Sequence, residues 1–306
     1  IDFTYQTSTF GGDKNFLVGV WALANNREGL QGKKSAFGIK IDYPNDLWDW
    51  FLMYRYIGDA FDPSLGFVTR RAIHYYSAKV SFMPRPESSL FRQHHFTIMP
   101  SLYTDLDHQW ESYSLSFVPF QPRLESGDQL EASIQPEGEY LKVPFTIAEG
   151  VIIEPGAYHW FRFNTEIRSA SKRAVNGMAS WRFGGFYGGH LNQVQLQLNW
   201  RLMSFLILEF MYENNIARIP AGNFNKELMA FRTVLNITSD LNISSFIQYD
   251  NDSGSVGSYS RLRWTFAPLG DLYLVYKHNI QQAIPERDWY YDASQLTVKL
   301  SYGLAL

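Results

Sequence analysis

Leu191-Asn192-Gln193-Val194-Gln195-Leu196-Gln197-Leu198-Asn199-Trp200-Arg201-Leu202 states the rule that the rest of the chain follows. In an extended strand successive side chains point to opposite faces. Val194, Leu196, Leu198, Trp200 and Leu202 therefore share one face, and Gln193, Gln195, Gln197, Asn199 and Arg201 share the other. In a soluble sandwich the apolar set covers a core; in a membrane barrel it meets lipid while the polar set meets a wet lumen.

The same alternation extends in both directions. Towards the amino end it predicts strands at residues 4–10, 15–24, 37–43, 48–56, 72–83, 91–103 and 110–118, with a weaker one at 129–134. Residues 142–156 read as a long connection, broken by Pro144, Gly150, Pro155 and Gly156. Towards the carboxyl end strands are predicted at 160–167, 175–183, 194–202, 206–212, 228–237, 243–249, 260–266, 272–276 and 296–306. In the last of these Leu296, Val298, Leu300, Tyr302, Leu304 and Leu306 alternate with polar or small residues to the end of the sequence, as a barrel's closing strand would. Short turns (Ser239-Asp240, 267–270, 202–204) are expected at one rim and longer polar loops (184–190, 251–256, 281–292) at the other. The segments amount to an odd number, roughly 17, whereas single-chain bacterial barrels have even numbers. That predicts either a miscount by one or further strands upstream of Ile1.

Composition supports this reading. Aromatics make up 17% of the 306 residues, with 23 Phe, 19 Tyr and 9 Trp, against 19% charged residues. Such a balance suits strands and an amphipathic aromatic belt better than helices. Mean hydropathy is slightly negative, at -0.24, and no apolar run is long enough for a spanning helix. A barrel escapes that test because every second residue of its strands is polar. The formal net charge of -3 gives no basic footprint for nucleic acid, which is excluded as a partner. With no cysteine there is neither a disulfide nor thiolate chemistry. No charged-then-apolar leader opens the sequence, so an export signal is expected to lie upstream or to have been removed.

Several segments resemble the family catalogued as domain of unknown function 5916. They are Phe61-Asp62-Pro63-Ser64-Leu65-Gly66-Phe67-Val68-Thr69-Arg70; Pro144-Phe145-Thr146-Ile147 with Gly150-Val151 and Pro155-Gly156-Ala157-Tyr158; Ser260-Arg261-Leu262-Arg263-Trp264; and Gly270-Asp271-Leu272-Tyr273-Leu274-Val275-Tyr276. Each is short, but their order and spacing match along most of the chain. The resemblance implies an outer-membrane β-barrel, usually behind a carbohydrate-binding family 9-like module and an earlier part of the barrel at the amino end. It carries no chemistry onto particular residues. In the first motif Phe61, Pro63, Gly66, Phe67 and Arg70 are the candidate site residues. Pro63 fixes a backbone angle, Gly66 permits a turn, and Phe61 and Phe67 are expected to anchor the loop by burial, so a rigid rim is favoured over a binding loop.

Other constellations have plainer readings beside sharper ones. Asp250-Asn251-Asp252-Ser253-Gly254 has calcium-like oxygen spacing but lacks the downstream Glu of an EF-hand, and Asx-rich sequences are ordinary hairpin tips. Adjacent His94 and His95 would point to opposite faces of one strand; with His74 or His108 a metal site is conceivable but unsupported. Glu209 with Glu213, or Glu137 with Glu139, could form a catalytic carboxylate pair. The plainer reading is a polar lining balanced by Arg182, Arg201, Arg232, Arg261 and Arg263. Trp21, Trp48, Trp50, Trp160, Trp181, Trp200 and Trp264 are expected to face lipid or form a girdle.

The expectation is thus an all-β protein: an antiparallel transmembrane β-barrel of roughly 16–18 strands in this chain, a single domain over residues 1–306. It is expected in a bacterial outer membrane as a non-enzymatic transport, surface-binding or assembly component, with no cofactor or metal. The lipid bilayer is its expected partner, and other outer-membrane or periplasmic proteins and a glycan are candidates. The alternatives are a barrel hydrolase acting on glycan or lipid, and a secreted β-sandwich or propeller that binds carbohydrate.

Overall fold

The computed structural model describes residues 1–87, 90–283 and 288–303. Its strands are β1 (Asp2–Phe10), β2 (Lys14–Ala24), β3 (Ser35–Pro44), β4 (Trp48–Ile57), β5 (Ile73–Phe82), β6 (Phe91–His94), β7 (Phe96–Asp105), β8 (Trp110–Phe120), β9 (Pro122–Leu124) and β10 (Gln129–Leu141). They continue with β11 (Phe145–Ala148), β12 (Val151–Ile153), β13 (Gly156–Arg168), β14 (Val175–Phe186), β15 (Gly189–Met203), β16 (Leu206–Ile219) and β17 (Gly222–Asn236). The last four are β18 (Leu241–Asp250), β19 (Ser255–Ala267), β20 (Gly270–Gln282) and β21 (Trp289–Tyr302). No helix occurs among the described residues. Apart from the short β6, β9, β11 and β12, every strand has nine or more residues, and each of these long strands overlaps one segment expected from alternation.

Strands β11 and β12 form a hairpin of their own, and the others belong to a 19-stranded antiparallel sheet. Neighbours in sequence pair with one another: β1 to β5 in succession, then β5 with β7, β7 with β8 and β8 with β10. The run from β17 to β21 is a second uninterrupted meander. Among the described residues β1 pairs with β2 and β21 with β20, and no closed barrel is formed.

Packing divides the chain into two compact units. The first comprises Ile1–Thr165, Phe183–His190 and Ile219–Gly222; the second comprises Glu166–Arg182, Leu191–Arg218 and Asn223–Leu306.

In the first unit the register sorts side chains by chemistry. Phe37, Ile39 and Ile41 on β3 lie opposite Tyr56, Tyr54 and Leu52 on β4, which lie opposite His74, Tyr76 and Ala78 on β5. The other face carries Lys40, Asp42, Asp49 and Lys79. There Lys40 pairs with Asp42 at 2.5 Å and Lys79 with Asp49 at 2.6 Å, and both ammonium groups stand over the Phe51 ring, at 5.1 and 5.6 Å.

The second unit repeats the division. Ile243, Leu262, Leu274 and Val298 are successive cross-strand partners on its apolar face; Ser244, Arg261, Val275 and Thr297 are their counterparts on the polar face. The apolar side chains are not covered by other protein: Leu52 is 53% exposed and Leu296 68%. Burial concentrates instead at loop bases, around Ala36, Tyr56, Ala60, Phe61 and Ile73, and around Val151 and Ile153 of the β11–β12 hairpin.

Several expectations are corrected. The segment at 91–103 is two strands, because the chain breaks at His95 and β6 pairs with β9 instead. The weak strand at 129–134 is the thirteen-residue β10, and the connection at 142–156 contains the β11–β12 hairpin. Residues 184–190 are not a long loop, since only Tyr187 and Gly188 separate β14 from β15. The rule of short turns at one rim fails in the first unit, where 83–95, with β6 inside it, joins strands at the rim of the tight 11–13 and 45–47 turns. Trp21 lies on the polar face over Gly38, whose missing Cβ would stand 2.7 Å from the indole Nε1. Trp160 is on the polar face too, its Nε1 donating to Glu137 Oε2 at 2.8 Å. Leu304 and Leu306, and residues 284–287 of the expected 281–292 loop, lie outside the described residues.

Candidate functional site

The loop between β4 and β5, residues 58–72, holds the motif singled out in the sequence, and its base is tightly built. The Gly58 amide donates to Ser35 O (2.9 Å) and the Ala60 amide to Lys33 O (3.1 Å). Asp59 Oδ1 accepts from the amides of Lys33 (2.7 Å) and Ala60 (3.0 Å). These amides, Lys33 foremost, hold the Asp59 carboxyl below the ordinary carboxylate range. A Cβ on Gly58 would stand 2.0 Å from Lys33 O, so the approach of the two loops requires glycine there.

Phe61 is 5% exposed and anchors the loop as expected. Asp62 receives Arg27 and Arg71 on its carboxylate and exchanges hydrogen bonds with Asn25 through its backbone. Pro63 and Gly66 make the turn, the Gly66 amide donating to Pro63 O at 3.3 Å. Phe67 departs from expectation. It is 88% exposed, beside a fully exposed Leu65, so the loop tip presents two large apolar side chains and only Phe61 is an anchor.

Arg70 returns the chain to the polar face. Its guanidinium donates to Ser112 Oγ (3.0 Å) and Glu111 Oε2 (2.9 Å) and stacks on the Tyr103 ring at 4.7 Å. Lys142 completes a network, bonding Asp105 Oδ2 at 2.7 Å and Glu111 Oε1 at 3.1 Å. Asp105 first and Glu111 second raise the Lys142 ammonium above its ordinary value. Asp105, Glu111 and Lys142 are the members that the sequence did not mark: Asp105 and Glu111 come from the β7–β8 hairpin and Lys142 follows β10, all distant in sequence from Arg70, and no local spacing signals them.

The remaining candidates are dispersed. Glu209 faces Arg232 at 3.4 Å, while Glu213 accepts from Asn215 Nδ2 at 2.9 Å. Glu137 is taken by Trp160 and Glu139 by the Tyr187 hydroxyl. Burial, then the hydrogen bond to Glu139, pushes the Tyr187 phenol well above its ordinary value. His74 Nδ1 lies 2.7 Å from the Tyr54 hydroxyl and its ring stacks on His108 at 4.4 Å. His95 Nε2 meets Gln93 Oε1 at 3.2 Å. Among the described residues no cluster of three or more potential metal ligands forms. Residues 250–254 make a hairpin tip in which the Asp252 amide donates to Asp250 Oδ1 (2.9 Å) and Lys226 pairs with the Asp252 carboxylate (3.0 Å). Gln193 and Asn199 of the founding stretch sit on the polar face, bonding Asn215 (2.7 Å) and Asn176 (3.4 Å). Leu196, Leu198, Trp200 and Leu202 on the opposite face are exposed.

Neither a protein-family model nor a curated protein matches this sequence.

Proposed function

We propose that this chain forms the wall of an outer-membrane β-barrel, its apolar face against acyl chains and its polar face lining a wet lumen through which, or at whose mouth, solutes bind and pass. The observation that supports the reading is the uncovered apolar face. Leu52 on the apolar face of the first unit is 53% exposed, and Leu198, Trp200, Leu296 and Leu300 on that of the second are 44%, 41%, 68% and 67% exposed. Water-soluble monomers rarely leave a contiguous apolar patch beyond a few hundred Å².

Dimensions agree with this proposal. The ten residues of β4 extend about 33 Å, and a tilt near 45° reduces that to about 23 Å, close to the apolar band of known barrels. Along its apolar face Trp48 and Trp50 occupy one end and Tyr54 and Tyr56 the other, with Leu52 between; amphipathic rings at both ends are what a membrane interface selects. The polar face carries charge-assisted cross-strand pairs such as Lys79–Asp49 and Arg263–Asp271, which suit a lining in contact with water. The resemblance to domain of unknown function 5916 points the same way, and the role proposed with it is a non-enzymatic one in transport, surface binding or assembly.

The test is partitioning. Expressed with an export leader in a Gram-negative host, the protein is expected in the outer-membrane fraction, resistant to alkaline and urea washes and extracted only by detergent. Recovery in the aqueous phase without detergent refutes the barrel and favours a soluble β-protein.

A further inference from the structure

Residues of β15 to β19 line a depression of about 490 Å³ in the second unit. Its floor is small: Ala230 and Ser244 are 5% and 9% exposed. Phe246 and Tyr259, cross-strand partners, form an aromatic wall, and Gln197 and Asn199 present amides from the founding stretch. Arg232 and Glu209 face each other at 3.4 Å.

Arg261 stands apart. Of the polar-face arginines on β15 to β19, Arg201 donates to Ser171 O and Arg173 O (2.8 and 2.6 Å), Arg232 pairs with Glu209, and Arg263 pairs with Asp271 at 3.1 Å. Arg261 lines the depression with its Nε wholly buried and no acceptor among the described residues. Its cross-strand neighbours, Ser244 and Val275, offer it no carboxylate. A buried charged donor lacking an acceptor is the feature that a complementary ligand satisfies.

We infer that this depression binds a small hydroxylated solute bearing one carboxylate, with Arg261 as the anchor. A planar guanidinium matches a carboxylate through two parallel N–H donors. The charged lining residues are Arg232, Arg261 and Glu209, which leave a single net positive charge; a second negative charge on the solute would meet the Glu209 carboxylate. Lys277, outside the lining with its Nζ 6.0 Å from the Tyr259 ring, adds attraction without a direct contact. The volume exceeds what a bare carboxylate fills. Gln197, Asn199 and Ser244 can bond hydroxyl groups on the solute's body, and the Tyr259 ring can cover its C–H surface. The site belongs to the fold of the second unit and does not depend on the membrane reading.

Gluconate, glucose and inorganic phosphate are the probes, titrated into the purified full chain, in detergent if extraction required it, by calorimetry or equilibrium dialysis. Wild-type protein is expected to bind gluconate at least about tenfold more tightly than glucose or phosphate, and Arg261→Gln to weaken gluconate by about tenfold or more, the range for losing hydrogen bonds to a charged group. Lys299→Gln, on the polar face of β21, is expected to stay within about twofold. Absence of gluconate binding, equal binding of glucose or phosphate, or equal losses in the two variants overturns the proposal. The wild-type comparison needs no variant, so it decides even if Arg261→Gln does not fold.

Discussion

Leu196→Arg and Gln195→Arg, two changes at adjacent positions of β15, separate a lipid-facing surface from a water-facing one. Strand β15 has 15 residues, and Leu196 lies midway between Gly189 and Met203. Seven residues at about 3.4 Å put it about 24 Å along the strand from either end, and a tilt near 40° reduces that to about 18 Å of depth. That is close to the centre of a bilayer. An arginine on the lipid face at that depth costs about 2–4 kcal/mol, roughly 30- to 900-fold in the folding equilibrium. Leu196 is already 39% exposed, so in water the same substitution opens no cavity and the change stays within about 0.5 kcal/mol. Gln195→Arg, on the polar face, is expected within about 0.5 kcal/mol in either environment. The assay is reversible urea unfolding of protein inserted in short-chain lipid vesicles, followed by tryptophan emission. A Leu196→Arg loss below about 1 kcal/mol, or equal losses in the two variants, refutes the assignment of the apolar face to lipid.

Three further outcomes test the candidate loop and a buried histidine at the other rim of the first unit by urea unfolding. Phe61→Ala removes a buried anchor and is expected to cost about 3–5 kcal/mol, whereas Phe67→Ala, at the exposed tip, should stay within about 0.5 kcal/mol; similar losses would mean that the loop is anchored at both rings. Gly58→Ala forces a Cβ to 2.0 Å from Lys33 O and is expected to cost about 1–3 kcal/mol by overpacking, so an unchanged midpoint contradicts the loop geometry. Burial, then the charges of Arg123 and Arg85, hold the His95 imidazole below its ordinary value of 6.5. A depressed base contributes its stability above the unfolded-state value and loses it as pH falls through the folded one. The unfolding midpoint is therefore expected to fall between pH 7 and pH 5, and less steeply in His95→Gln; parallel profiles would remove His95 as a cause.

Legibility of the sequence followed the regularity of the alternation. Strand β15 was readable because nothing interrupts its period. Strand β21 is legible only from Leu296, although it begins at Trp289, because a bulge opposite Asn279 and Ile280 skips one residue of β21. Tyr291 and Leu296 share the apolar face although they are five positions apart, an odd spacing, so a strict period of two breaks at Asp292 and Ala293. The same device hid the end of β8: Phe117 and Phe120 share a face across a register shift that the alternation cannot carry. Pro136 and Gly138 disguised the second half of β10 as a loop. Trp21 and Trp160 lie on the polar face although an aromatic residue is expected on the lipid side. Their positions depend on partners distant in sequence, Gly38 and Glu137. In the candidate loop the turn at Pro63 and Gly66 and the anchor at Phe61 were visible; the partners of Arg70 were not, since Glu111 and Ser112 come from another hairpin.

The two faces make separable physical demands, which allows the proposals drawn from them to fail independently. The apolar face makes some contacts of its own, such as the Tyr54–His74 hydrogen bond, but its general requirement is a medium in which Leu196 and Leu52 are better placed than an arginine would be. The polar face is specific to the residue: Lys79 has Asp49, Arg263 has Asp271, Arg70 has Glu111 and Ser112, and Arg261 alone among the polar-face arginines of its meander lacks an acceptor among the described residues. A chain that tolerates Leu196→Arg yet loses gluconate in Arg261→Gln would be a soluble binder with an unexplained apolar surface. One that rejects Leu196→Arg but ignores gluconate would be a membrane wall whose Arg261 is satisfied by water. Because a bulge restores the face assignment wherever the period slips, a one-residue register error in any strand would exchange these demands and put charge into the apolar face. Selection on both faces at once is therefore what holds each hairpin in its observed register.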